Sequence, residues 1–445
     1  MAKSSTQYVC NQCGENYSKW TGRCDNCGEW NTLVQFKEAK LSKKGSQGSE
    51  LTTSRLSDVK LSGEASRLDT GIGEVNTVFG GGVVMGSISL IAGEPGIGKS
   101  TLLLQVATSL ASKHKILYVS GEESASQIKL RADRLAVNQS QLELATTVSC
   151  NDVATSILKG GYDLVIVDSI QTIAIDELDT NAGSVSQITN SAQMLQQAAK
   201  ATDTALVMVG HVTKEGNIAG PKILEHLVDV VLNLEGDKYG SFKVLRAAKN
   251  RFGSTNEIGI FEMKEHGLVP VANPSAALLA ERQISDGSVV LATIEGNRAL
   301  LVEVQALVNP TGFGYPKRTA VGIDNNRLSL LVAVLNRRTK LNLTDKDVYV
   351  NVVGGLKITE PAADLAVVMA IASAAKGMKL KDDLVVFGEL GLSGEIRHVS
   401  NLEARLAEAK KIGFTGALGP RSQEKHPNLI SVTDLKEALN TYLTN

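Results

Sequence analysis

No run of about 18 apolar residues occurs in the 445-residue sequence, so a membrane-spanning helix is not expected. The opening residues Met1-Ala-Lys-Ser-Ser-Thr-Gln7 lack the apolar core of a signal peptide. Charge of one sign is also missing. With a formal net charge of −1 the chain has no global pull toward nucleic acid, and any such site must be a local basic patch or a ring lumen. Cysteine is scarce, and four of the five cysteines form two CxxC pairs, which points to metal in a reducing compartment rather than to disulfides. The cytoplasm is the expected address. What remains is an ordinary globular composition, 43% hydrophobic and 21% charged, in a chain long enough for two or three domains.

The most informative stretch is Gly93-Glu94-Pro95-Gly96-Ile97-Gly98-Lys99-Ser100, with Thr101 behind it. It follows the apolar run 87–92, short enough for a buried strand, and precedes 102–107, which has helical spacing. That is the context a phosphate-binding loop requires. Glycines at 93, 96 and 98 let successive backbone N–H groups converge on phosphate oxygens at a helix N-terminus. Lys99 is then expected on the β- and γ-phosphates of ATP, and the Ser100 hydroxyl on Mg²⁺.

Cys10-x2-Cys13 and Cys24-x2-Cys27, each pair followed by glycine, have the spacing of a four-cysteine zinc ribbon or knuckle. A segment of about 30 residues cannot bury a useful core, so Zn²⁺ must supply its folding energy. Four thiolates close the coordination sphere, and the expected role is structural. Trp20 and Trp30 are read as small-core residues in preference to a stacking surface, and Cys150 as a buried thiol. Residues 37–65 are polar and Ser/Lys/Gly-rich, as in a flexible linker.

From 66 to 270 strand-like and helix-like segments alternate, as in a doubly wound parallel sheet. Expected strands cover 115–120, 163–168, 205–212, 228–234 and 242–249, and expected helices 101–111, 124–135 and 186–201. Asp168 ends an apolar strand and suits a water of the Mg²⁺ shell. Glu122, in Tyr118-Val-Ser-Gly-Glu122-Glu123, is favoured as the group orienting the attacking water, with Glu123 as a helix cap or the two reversed. His211 is either a γ-phosphate sensor or a satisfied polar residue, and the loop behind it carries Lys214 and Lys222. Lys249 and Arg251, two apart at a strand end, share a face and can project onto phosphate of their own or a neighbouring subunit.

The lead-in Arg67-Leu-Asp-Thr-Gly71, the glycines 80–82, the phosphate loop, the Asp168 strand and Lys249-Asn-Arg-Phe-Gly253 together resemble the RadA (Sms) family of bacterial DNA-repair proteins. The resemblance spans nearly the whole chain, zinc motif included. It implies an α/β fold with four parts. These are a zinc-binding motif (1–36), a linker (37–65), a RecA-like P-loop ATPase core (66–270) and an α+β domain similar to the Lon protease domain (271–445). By resemblance the core forms a hexameric, helicase-like ring that binds single-stranded and branched DNA and drives branch migration beside the RecA recombinase. Lys249 and Arg251 would reach the γ-phosphate across the subunit interface, and Glu122 would activate water.

Lon proteases use a Ser/Lys dyad. Here the matching stretch 360–364 puts Ala362 at the nucleophile position, and Glu403 and Arg405 fall where the lysines would stand. Acyl transfer has no mechanism without those groups, so this domain is read as a ring scaffold. Its basic residues Lys317-Arg318 and Arg337-Arg338 either bind DNA or are solvated. Two rivals to the DNA-dependent motor remain open: an ATP-driven switch of the circadian-clock KaiC type, and an ATP-dependent protease.

Overall fold

The computed structural model describes residues 7–10, 16–26, 28–30, 32–36, 67–135, 141–211, 223–236, 242–312, 314–380 and 384–444. The expected linker, Cys13, Cys27, Lys214 and Lys222 lie outside the described residues.

A nine-stranded sheet organises the middle of the chain. Its strands are β1 (Ile88–Gly93), β2 (Ile116–Ser120), β3 (Glu143–Thr146), β4 (Leu164–Asp168), β5 (Ala205–Val209), β6 (Val230–Glu235), β7 (Phe242–Asn250), β8 (Ile258–Lys264) and β9 (Gly267–Pro270). The spatial order is β9-β8-β7-β6-β1-β5-β4-β2-β3. From β6 to β3 neighbouring strands run parallel. β1, β2, β4 and β5 are buried along their whole length, the continuous apolar pattern that a sheet covered on both faces demands. The sheet is not parallel throughout: β6 to β9 form an antiparallel meander.

Helices follow the parallel strands: Lys99–Leu110 after β1, Ala125–Arg134 after β2, Cys150–Gly160 after β3 and Val185–Ala201 after β4. Helix Lys99–Leu110 buries Leu102, Leu103, Leu104, Val106 and Leu110 in the core on one sheet face, at about 1.5–3 kcal/mol per large side chain. Strand β3 escapes sequence reading because it is an edge strand with mostly exposed residues. Cys150 is buried as expected, at the start of a helix that was not. Its thiol faces the Ser191 carbonyl, and burial pushes its pKa up to about 11.

A second sheet, in the order β12-β13-β11-β10-β14-β15-β16, comprises β10 (Ser288–Glu295), β11 (Arg298–Pro310), β12 (Arg318–Val321), β13 (Lys346–Val352), β14 (Leu384–Val386), β15 (Gly416–Pro420) and β16 (Leu429–Val432). Helix Asp364–Lys376 is buried from Asp364 to Ser373. Val244, Ile258 and Ile260 of the first sheet's meander belong to the same apolar core as this second sheet. Arg246–Glu295 at 2.7 Å links the two sheets by charge, and Arg298–Glu74 at 3.1 Å links the second sheet to helix Gly73–Phe79.

Two residues before Ala362, Glu360 takes part in a buried ion pair. Arg405 is fully buried, and its guanidinium meets Glu360 in a two-pronged pair at 2.9 and 2.6 Å. It also donates to the carbonyls of Ala292 and Ser400. Glu360 accepts further from the Thr293 hydroxyl and the Ile294 N–H. Ala362, in a short 3-10 turn, offers only a methyl group. Arg405→Ala would strand the Glu360 carboxylate and should lower stability by about 3–5 kcal/mol. Denaturant unfolding of the variant measures this loss.

At the other end, Gln7–Cys10, Asn16–Tyr17 and Leu33–Phe36 form a three-stranded antiparallel sheet. Cys10 and Cys24 are buried in its small core, near Thr32 and Tyr17 respectively. Trp20 and Trp30 are not core residues as expected: they are 55% and 69% exposed. The core is filled instead by Cys10, Cys24, Leu33, Tyr8 and Tyr17. The Trp20 indole N–H is tied to the Leu33 carbonyl, and the Arg23 guanidinium lies over the Trp30 ring.

Candidate functional site

Four neighbouring parallel strands, β1, β5, β4 and β2, end at the same edge of the first sheet. Register does this: Val209 pairs with Ile91, Met208 with Val167, and Ser120 with Asp168. The edge therefore collects the phosphate loop from β1, His211 from β5, Asp168 from β4 and Glu122 from β2. In open α/β sheets this carboxyl edge is where ligands bind.

The loop 93–101 leaves β1 and turns directly into helix Lys99–Leu110. Gly96 and Gly98 have φ of 80° and 116°, which a side chain would oppose. A methyl group on Gly93 would lie 2.6 Å from the Leu234 carbonyl oxygen, and one on Gly98 would lie 2.8 Å from Met263 Cε. No side chain caps the helix, so its first N–H groups are left to a ligand. Glu94 and Pro95 sit exposed at the loop's tip, Ile97 is buried, and Ser100 and Thr101 open the helix half-buried.

Lys99 is buried and donates to the carbonyls of Gly93 at 2.8 Å and Glu94 at 2.9 Å. Burial lowers its pKa, while the charges of Asp168 and Glu122 pull the other way. Those opposing causes place the ammonium within electrostatic reach of both carboxylates.

Asp168 is buried, and its Oδ2 accepts a 2.6 Å hydrogen bond from the Tyr118 hydroxyl. Tyr118 is itself 1% exposed; burial and then the Asp168 charge raise its pKa well above the usual phenol value. Glu122 is grouped with the same centre, accepting from the Ser169 hydroxyl at 2.5 Å and lying 3.4 Å from His211 Nε2. Glu123 points elsewhere, into an ion pair with Arg131 on helix Ala125–Arg134. The geometry thus separates the two glutamates, with the favoured Glu122 grouped with Asp168 and Glu123 turned to Arg131.

Lys249 and Arg251 are not brought to the phosphate loop of their own chain. Asn250 pairs with Val230, which pairs with Ser89 near the start of β1, and the four strand steps from Ser89 to Gly93 span ~13 Å. The Lys249 ammonium donates to the carbonyls of Glu225 and Val228, and Arg251 pairs with the buried carboxylate of Asp229 at 2.9 Å. Asp229 also accepts from the Ile88 N–H, which anchors this cation cluster to the root of β1.

Beyond Asp168, the stretch 173–183 is held by a single buried side chain. The buried amide of Gln187 bonds the backbone of Ile175 through both its oxygen and its nitrogen, and reaches the carbonyls of Leu178 and Thr180. Its charges are Asp176, Glu177 and Asp179. Tyr118, Ser169, Arg131 and Asp229 were given no role in sequence reading, although the first three lie in or beside the quoted motifs.

Against known proteins, residues 52–217 match the family described as AAA domain, residues 8–35 the rubredoxin metal binding domain, and residues 317–423 subunit ChlI of Mg-chelatase. A DNA repair protein RadA from Bacillus subtilis is 46% identical over 100% of both chains. One from Brucella abortus is 48% identical over 94% of this chain and 92% of its own. The chain belongs to the RadA family of DNA repair proteins. A RadA from Streptococcus pyogenes serotype M1 is 48% identical over 95% of this chain and 94% of its own. A solved RadB recombinase aligns with 46% of this chain and 99% of its own at 22% identity, with a TM-score of 0.37. Family membership makes the first sheet a RecA-like ATPase core and the N-terminal sheet a zinc ribbon. Among the described residues no helix is long and apolar enough to cross a membrane.

The donor sets fit the expected ions to different extents. For Mg²⁺ the Ser100 hydroxyl and a buried Asp168 carboxylate lie at one sheet edge. For Zn²⁺, Cys10 and Cys24 are buried in one small core, while Cys13 and Cys27 lie outside the described residues. Glu122→Gln should leave nucleotide binding intact and cut hydrolysis by about 10²–10⁴-fold, the range for losing a general base. Glu123→Gln should change the rate by less than about threefold, its charge being spent on Arg131. Steady-state phosphate release by the two variants checks the assignment.

Proposed function

We propose that this chain is a ring-forming, DNA-dependent ATPase of recombinational repair that binds single-stranded DNA and drives branch migration beside the RecA recombinase in the cytoplasm. The observation that carries the reading is the alignment of the phosphate loop, Asp168, Glu122 and His211 at one sheet edge, with Lys249 and Arg251 far from it in the same chain.

The backbone N–H groups of 93–98 and the amino end of helix Lys99–Leu110 cradle the phosphates of ATP, and Thr101 backs Ser100 in the first helical turn. Lys99 exchanges its two loop carbonyls for phosphate oxygens. Ser100 and Asp168 hold Mg²⁺, which neutralises charge on the phosphoryl group being transferred. Glu122 orients water for attack on the γ-phosphate. His211 sits beside Glu122 at the start of the segment carrying Lys214 and Lys222, to which we assign contact with the DNA backbone. Cys10, Cys13, Cys24 and Cys27 hold a structural Zn²⁺.

The separation of Lys249 and Arg251 from their own phosphate loop supports completion of the site by a neighbour. A head-to-tail contact presents one face of each subunit to the opposite face of the next and generates a closed ring when the rotation closes. Six subunits is the count that family resemblance gives. The protease reading lacks support, since the Glu360–Arg405 pair fills the dyad position with fully engaged groups and Ala362 carries no oxygen.

Single-stranded DNA should stimulate steady-state ATP hydrolysis by the wild type, while Lys99→Ala and the double variant Lys249→Ala/Arg251→Ala should each stay near background. Mixing these two inactive proteins should restore part of the rate, because some interfaces pair an intact phosphate loop with intact cations. A mixture that stays inactive would sink the shared site. A wild-type rate indifferent to DNA would favour a nucleotide-driven switch over a motor.

A further inference from the structure

We propose that Tyr118 is a positioning residue for the divalent cation of the ATPase site, acting by orienting the Asp168 carboxylate. This inference rests on the ATPase reading above and extends it to a residue that touches neither nucleotide nor metal.

The placement is specific. Tyr118 lies two residues before Ser120 in β2, so both side chains leave the same face of the strand. Its ring is packed in the apolar core under helix Lys99–Leu110. Packing alone would be served as well by phenylalanine, and a hydroxyl in that core must find an acceptor or lose its hydrogen bonds to water. The acceptor it finds is Asp168 Oδ2, at 2.6 Å. The terminal torsion of an aspartate is broad and nearly two-fold, so packing does not select which oxygen faces a ligand. A charge-assisted hydrogen bond from a rigid, buried phenol does select it.

The bond leaves Oδ1 as the oxygen of Asp168 that accepts no hydrogen bond from the described residues. It also keeps the carboxylate from turning toward the Lys99 ammonium, whose charge it feels. A phenol hydroxyl can only donate to a carboxylate, so the 2.6 Å contact fixes which group is the donor. Arg131 pairs with Glu123, and its guanidinium also lies close to the Tyr118 hydroxyl.

Tyr118→Phe removes the hydroxyl and keeps the ring. The test is binding of a fluorescent ADP analogue to the full chain, titrated in excess Mg²⁺ and again in EDTA, with the melting temperature followed by circular dichroism. The expected result is a loss of roughly tenfold in the affinity measured with Mg²⁺, as for a hydrogen bond to a charged group. Affinity in EDTA should be unchanged and the fold intact. In an Asp168→Asn background the same change should add little to the Mg²⁺-dependent loss, since the two residues act as one unit. Equal weakening with and without Mg²⁺ would make the hydroxyl a packing feature and overturn the proposal, as would a variant with wild-type Mg²⁺ dependence. A wild-type protein that binds the analogue no better with Mg²⁺ than without would remove the ATPase reading along with it.

Discussion

Strand register is the constraint on which this molecule depends. Side chains at the ends of β1, β5, β4 and β2 come from positions more than a hundred residues apart, yet the pairings Val209 with Ile91 and Ser120 with Asp168 bring them to one edge. A slip of one residue in β2 would turn Tyr118 and Ser120 to the opposite face, and a slip in β4 would shift Asp168 relative to the phosphate loop. The strands are buried on both faces, so the slip is opposed by the whole core rather than by the site itself. The site can therefore keep buried polar groups such as Lys99, Asp168 and Ser169, which on their own would disfavour folding.

Much of this architecture was legible in the sequence because it is written locally. The glycine spacing of 93–98 announces its own backbone, and apolar runs ending in Asp168 or Glu122 announce buried strands and their carboxyl edge. The ends of these strands were read to within about three residues. What stayed hidden depends on partners distant in sequence. Whether Glu122 or Glu123 faces the site is decided by Arg131 and Ser169. The role of Tyr118 is decided by a residue fifty positions away. The exposure of Trp20 and Trp30 follows from how little interior a segment of that size encloses. The antiparallel turn of the sheet at β6 and β7 is a matter of connection length, which periodicity does not report.

The second sheet's surroundings are fastened by buried charge. Where a dyad would need a poised amine and a free oxygen, Arg405 spends its donors on Glu360, Ala292 and Ser400. A guanidinium so engaged is a fastener: it joins helix Leu402–Ile412 to β10 and to the turn at Pro361–Ala363. A second fastener of the same kind, Arg327 with Asp364, ties helix Asn325–Arg338 to the buried helix behind that turn. With Val244, Ile258 and Ile260 in its core, the second sheet stiffens the antiparallel meander of the first.

That stiffness bears on how the cations of the ATPase core work. β7, which carries Lys249 at its end, is held on one side by β6 and on the other by β8, whose Ile258 and Ile260 pack into the second sheet. Asp229 ties Arg251 to the first residue of β1, and Lys249 closes off the carbonyls beside helix Ile223–Leu227. One strand thus runs from the phosphate loop at Gly93 to the Asp229–Arg251 pair at Ile88, so the loop and the cation cluster share a single rigid element of the core.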